Sequence, residues 1–209
     1  EPVTRILFAP HPYFVPMSMR RGGSDVRLGG QDCHQDEAGA HTGDVSAAML
    51  RDCGASLVLL GHSERRANHG ETSALIAAKA TQALAHHLDV MICLGETLDE
   101  RRAGLAEQIV IDQLHASLPA NLPHGDDGLY GRVMVAYEPV WAIGTGEVAS
   151  LNDIATMHQA IASELPKSEN RHKSPLPILY GGSANADNAK AIFAIDHVDG
   201  ALVGGASLD

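Results

Sequence analysis

Glu138 stands in the segment Ala136 to Gly146, AYEPVWAIGTG, where an apolar run gives way to a loop bounded by glycines. Val133 to Tyr137 (VMVAY) has the make-up of a short buried strand. Pro139 stiffens the step past the acid, and Gly144 and Gly146 admit backbone angles that other residues avoid. Such a loop is a rigid tip between two hinges. A carboxylate at its base moves protons if the loop sheds water, and is a solvated loop acid if it does not. This segment alone leaves both readings open. His62 in GHSERR, Glu96 in CLGETLDER, Ser183 in LYGGS and the Gly204–Gly205 pair in DGALVGGASL also follow short apolar runs. Taken singly, His62 is a capping or core-edge histidine and the glycines are turn glycines.

The elements that must position these residues alternate between short apolar runs and longer stretches of helical period, the pattern of repeated βα units around a parallel sheet. Candidate strands are Arg5 to Ala9, Val26 to Gly30, Leu57 to Gly61, Val90 to Leu94, Val133 to Tyr137, Pro177 to Tyr180 and Ala201 to Gly204. Helical stretches fall at Tyr13 to Arg20, Asp44 to Cys53, Ser73 to His87, Glu100 to Leu118, Leu151 to Leu165 and Ala186 to Ala194. Pro16 is expected to shorten the first. Ser150 with Asp153 has the form of a capping box, and Ser73 is a candidate cap for the third helix. Leu118 to Gly131 and Pro166 to Pro177 read as surface connections within one domain. Seven parallel strands fit an open doubly wound sheet or most of an eight-stranded barrel. His62, Glu96, Glu138, Ser183 and Gly204–Gly205 all follow strands, and only in a barrel do those ends converge on one face. Convergence favours the barrel.

Composition excludes several classes. The chain has 209 residues, 44% of them hydrophobic, enough to bury a core as one domain. A net charge of −11 and a pI near 5.4 argue against nucleic acid or an anionic membrane as partner, so an anionic ligand must be held by local donors. No uncharged apolar run approaches the roughly 20 residues of a bilayer span, and the EPVTR start lacks the layout of a signal peptide. A soluble, cytoplasmic protein is expected. Cys33, Cys53 and Cys93 are far apart and form no CxxC pair, so buried packing is expected for all three. Of the 12 histidines, no two share a metal-ligand spacing with a third ligand nearby, and His86 and His87 sit where a helix should end, so no metal is assigned.

GAHTGDVSAAML at Gly39 to Leu50, GHSERR at Gly61 to Arg66, CLGETLDER at Cys93 to Arg101, AYEPVWAIGTG, LYGGS at Leu179 to Ser183 and DGALVGGASL at Asp199 to Leu208 together resemble the triosephosphate isomerase family. The likeness runs through nearly the whole chain in the family's order. It implies a (β/α)8 TIM barrel, here represented by seven of the eight strands, and interconversion of dihydroxyacetone phosphate and D-glyceraldehyde 3-phosphate in glycolysis and gluconeogenesis. No cofactor is implied. By resemblance, Glu138 is the base that takes a proton from carbon beside a carbonyl, and His62 is the electrophile and proton shuttle. A glutamate base beside a neutral histidine at a helix N-terminus is the family's own known case; that division of labour comes with the resemblance and not from spacing. Ser183, Gly204 and Gly205 match the phosphate cradle, and Gly144 the mobile-loop amide that reaches the phosphate on closure. Tyr180 and Ser183 would hold the closed loop, and Glu147 to Ala149 would form its second hinge. Glu64 resembles the family's supporting acid, with an exposed structural role as the equal alternative. A related tetrulose-phosphate isomerase and a non-catalytic barrel fragment are the other functions compatible with these residues.

The resemblance also implies features this sequence does not display. The family opens with an NWKMN-like strand whose lysine steadies phosphate and oxyanion; here the first lysine is Lys79, within a helical stretch. The first strand looks like the family's second, and Asp209 falls where the last helix should start, so the sequence is expected to represent part of a longer enzyme. Gly39 to Asp44, with Thr42 near its tip, corresponds to the family's loop that reaches into a neighbouring subunit, which implies a homodimer. Asp44 stands where the family commonly has glutamate, which leaves an ion pair with an arginine such as Arg65 in doubt.

Overall fold

The structure, a computed structural model, describes residues 3–120, 132–143, 147–165 and 176–208. Gly144, Gly146 and most of the two expected surface connections lie outside the described residues. Seven strands form one sheet: β1 (Ile6–Ala9), β2 (Arg27–Gly30), β3 (Leu57–Leu60), β4 (Asp89–Leu94), β5 (Val133–Tyr137), β6 (Ile178–Tyr180) and β7 (Gly200–Ala201). Every neighbouring pair is parallel and the order in space is the order in sequence. A doubly wound sheet would reverse direction at a switch point. An unreversed, curling sheet is the (β/α)8 barrel, represented here by seven strands.

The helices that cover it are α1 (His11–Arg20), α2 (Ala47–Asp52), α3 (Ser63–His69), α4 (Ser73–Ala85), α5 (Leu98–Arg102), α6 (Ala106–Ser117), α7 (Leu151–Glu164) and α8 (Ala189–Ile192). Strand side chains alternate between two apolar layers, as a period of two requires. Leu57, Leu59, Met91, Cys93, Met134 and Ala136 fill the barrel interior. Val58, Leu60, Val90, Ile92, Val133, Val135 and Tyr137 face outward onto Ile76, Ala80, Val110, Leu114, Ile154 and Ile161 of the helices. Among the described residues, no helix is long and apolar enough to cross a membrane.

Several expectations are corrected. Glu100 to Leu118 is two helices, because Gly104 at φ +74° breaks the run; Thr97 and Glu100 form an unforeseen capping box at the start of α5. α3 is a helix that the helical stretches expected from the sequence do not include. Thr72, not Ser73, caps α4, its Oγ1 accepting from the Leu75 N–H at 3.2 Å. α1 runs through Pro16 to Arg20 without being shortened. β7 ends at Ala201, and Gly205–Ser207 is a 3-10 turn. Cys53 is half-buried, whereas Cys33 and Cys93 are buried as expected.

Candidate active site

Period two along β5 decides where Glu138 goes. Met134 and Ala136 face the barrel interior, so the next residue on that face is Glu138, which is 1% exposed. β3 needs a different device. Continued alternation from Leu60 would not serve His62, but Gly61 takes φ +68°, a left-handed conformation that ends the strand and redirects the chain. A side chain at Gly61 would also meet Ile76 Cδ1 at 2.5 Å. His62 then becomes the N-cap of α3.

The two side chains meet. His62 Nε2 lies 2.9 Å from Glu138 Oε1, and the Ser63 N–H donates to Glu138 Oε2 at 3.0 Å. On the opposite edge of the ring, the Glu64 N–H donates to His62 Nδ1 at 3.3 Å. A ring that accepts at Nδ1 and faces a carboxylate with Nε2 is the neutral tautomer carrying its proton on Nε2. The hydrogen bond to Glu138 holds the His62 pKa above its ordinary value, against burial, which lowers it. Withdrawal of Glu138 removes the raising influence. Burial and the Glu64 N–H, which favour the neutral ring, then remain against the smaller raising effect of the Glu64 carboxylate. Beneath Glu138, burial and then the carboxylate's charge push the Cys93 thiol well above its usual range, so it stays protonated.

Ser183, Gly204 and Gly205 line the same cavity as His62 and Glu138, a space of about 1480 Å³ that opens between β1 and β7. The Ser183 hydroxyl donates to the Ala142 carbonyl at 3.1 Å, tying β6 to the stem of the Glu138 loop. Gly204 and Gly205 begin the 3-10 turn, exposed, where early backbone amides point outward. Tyr180 is fully buried; among the described residues its hydroxyl has no partner, and burial pushes its pKa up to about 12. Glu64 has an exposed side chain 3.8 Å from His62 Nδ1, while its backbone amide makes the capping contact. Gly144 lies outside the described residues.

Other residues fall elsewhere. Glu96 does not join His62 and Glu138. It is fully buried on the outer side of β4, accepting from Trp141 Nε1 at 2.8 Å, Tyr137 Oη at 3.2 Å and Arg101 Nη1 at 3.3 Å. It thereby fixes the Val140–Ala142 turn just past Glu138. Arg66 was missed by sequence reading: its guanidinium donates to the Gly61 and Cys93 carbonyls at 2.9 and 3.0 Å and braces the start of α3. Lys79 is engaged by Asp32 at 2.8 Å and Glu71 at 2.5 Å, and Arg65 by the same two acids at 2.8 and 2.7 Å. Asp44 faces His34 at 3.6 Å. The reading that no two histidines have a third ligand nearby does not hold, because His34, Asp36 and His41 bring ligand atoms within 4.8 Å of one another.

A family model described as triosephosphate isomerase matches residues 1–209. The triosephosphate isomerase of Jannaschia sp. (strain CCS1) is 50% identical over 203 residues, 97% of this chain and 79% of that protein. That of Ruegeria pomeroyi (strain ATCC 700808 / DSM 15171 / DSS-3) is 54% identical over 188 residues, 89% of this chain and 72% of the relative. The crystal structure of triosephosphate isomerase from Bartonella henselae superposes with a TM-score of 0.87 at 37% identity, covering 99% of this chain and 82% of that one.

Proposed function

The chain belongs to the triosephosphate isomerase family, and we propose that it interconverts dihydroxyacetone phosphate and D-glyceraldehyde 3-phosphate through an enediolate. The observation that carries this reading is the meeting of Glu138 and His62 over one cavity, the imidazole holding its Nε2 toward the carboxylate at 2.9 Å. Glu138 leaves its resting partners, His62 Nε2 and the Ser63 amide, and takes a proton from the substrate carbon beside the carbonyl. His62, freed of Glu138, donates from Nε2 to the carbonyl oxygen and passes protons between the neighbouring oxygens. Because the Glu64 amide occupies Nδ1, only one nitrogen serves the substrate.

Ser183 and the backbone amides of Gly204 and Gly205 receive the phosphate, and the Gly144 amide completes the cradle on loop closure. The buried, unpartnered Tyr180 hydroxyl supports this, since closure supplies the acceptor it lacks among the described residues. Closure also excludes water and suppresses loss of phosphate from the enediolate. In this reading the protein acts in glycolysis and gluconeogenesis in the cytoplasm, as one barrel domain that pairs into a homodimer through the Gly39 to Asp44 loop. Thr42 at the exposed tip of that loop supports the pairing.

A coupled assay of triose phosphate turnover tests the reading. The native protein turns over both substrates, and Glu138→Gln loses about 10²–10⁴-fold in kcat with a smaller change in KM. A native protein without triose phosphate turnover, or a Glu138→Gln variant as fast as the native one, would overturn it.

A further inference from the structure

We propose that the loop between β2 and α2 binds one transition-metal ion of the zinc class through His34, Asp36 and His41. Two imidazoles and a carboxylate form the donor set that borderline ions such as Zn²⁺, Ni²⁺ and Cu²⁺ prefer, and that hard ions such as Mg²⁺ do not. A tetrahedral zinc ion with donors at 2.0–2.1 Å separates them by roughly 3.3 Å. His41 Nε2 stands 3.2 Å from Asp36 Oδ2, and His34 Nδ1 stands 3.9 Å from the same oxygen. All three ligand atoms lie within 4.8 Å of one another, and binding draws them together from there, with water in the fourth position.

The loop holds these groups together without the ion. The His34 amide donates to the Val45 carbonyl at 2.9 Å and the Asp44 amide to the His41 carbonyl at 3.0 Å, so the chain between them is folded back on itself. The two imidazole rings lie tilted by 34° with centroids 3.9 Å apart, and one must turn out of this contact for both lone pairs to meet at the ion. Gly39 makes room for this, since a side chain there would meet His41 Nε2 at 2.6 Å. Metal binding displaces one hydrogen bond, from the Asp36 amide to His34 Nδ1 at 3.1 Å. The ring's proton already sits on Nε2, which faces the Asp44 carboxylate at 3.6 Å. A carboxylate behind the far nitrogen is the usual outer partner of a metal-bound histidine. All the ligands come from one chain, none belongs to the Glu138–His62 site, and His41 lies in the Gly39 to Asp44 loop through which the chain is proposed to pair.

Calorimetric titration of chelator-treated full-length protein with Zn²⁺ tests the proposal. One ion per chain is expected, with binding lost in His41→Ala and Asp36→Ala, weakened about tenfold in Asp44→Asn, and unchanged in His69→Ala, an exposed histidine elsewhere. The visible spectrum of the native protein with Co²⁺ gives a second reading that needs no variant: intense tetrahedral d–d bands that Zn²⁺ abolishes. Zn²⁺ binding equal in the native protein, His41→Ala and Asp36→Ala would overturn the proposal. So would the absence of stoichiometric binding, or a weak octahedral cobalt spectrum.

Discussion

At the scale of single residues, the contact between His62 and Glu138 has a consequence for stability as well as for chemistry. The hydrogen bond to Glu138 sets the folded-state pKa of His62 above 6.5, its ordinary value. A histidine whose pKa rises on folding binds more proton in the native state, so its stabilising contribution is full below about pH 6.5 and is lost as pH climbs through the raised value. The native protein should therefore lose melting temperature through this pair as pH rises above about 6.5. In Glu138→Gln the main raising influence is gone, leaving burial, which lowers the pKa, against the smaller raising effect of the Glu64 carboxylate, so that part of the slope should shrink or reverse. Melting curves of both proteins across this range check it; parallel slopes would show that the pair does not titrate as described. Glu138 is legible in the sequence because it stands where an apolar run meets the glycine-bounded AYEPVWAIGTG loop, in company with the other ordered motifs. The tautomer of His62 is not. It depends on the Glu64 amide, which α3 supplies, and the sequence reading places no helix there although Glu64 early in the segment, Arg66 and His69 late in it and Gly70 just after it are signals of one.

At the scale of elements, the stem beyond the Glu138 loop is set by the start of α7. Ser150 Oγ accepts from the Asp153 N–H at 3.1 Å, and Asp153 Oδ2 accepts in return from the Ser150 N–H at 3.1 Å. Asp153 also pairs with Arg101, whose guanidinium lies 4.6 Å over the Trp141 ring. One capping box thus ties α7 to α5 and to the turn that carries Trp141. Replacing Ser150 by Ala should cost about 1 kcal/mol of unfolding free energy, measured by urea denaturation at constant m-value. A change within about 0.3 kcal/mol would mean that the cap is filled by solvent at no loss. Local signals of this kind were readable: strands from apolar runs, α7 from its cap. What escaped depended on neighbours in space. Gly104 divides α5 from α6, and β7 stops at Ala201 although the apolar run continues through Leu202 and Val203, because β6, its partner among the described residues, itself ends at Tyr180.

At the scale of the whole molecule, charge is distributed so that an acidic protein can still receive an anion. The chain carries a net −11, and its buried cation Lys79 is committed to Asp32 and Glu71, away from the cavity. Burial raises the carboxyl pKa of Asp32 above its ordinary value, while at Glu71 the Lys79 and Arg65 hydrogen bonds overcome burial and lower it. The cluster joins the end of β2 to α3 and α4, so Lys79→Met, which leaves Glu71 short of a partner, should cost about 3–5 kcal/mol without moving KM. In the proposed reading, neutral donors that line the cavity at Ser183, Gly204 and Gly205 hold the phosphate. Binding there stabilises the native state by mass action, about 2.7 kcal/mol at 100 times Kd. For a chain of this size each kcal/mol is worth roughly 2–4 °C. Saturating 2-phosphoglycolate, which pairs a phosphate with a planar carboxylate like the enediolate, should raise the melting temperature by roughly 5–10 °C. Glycolate, without the phosphate, should leave it unchanged, and Ser183→Asp, which sets a carboxylate among the donors, should abolish the shift. An equal shift with glycolate would place the affinity in the carboxylate contacts alone and remove the phosphate cradle from the account of this site.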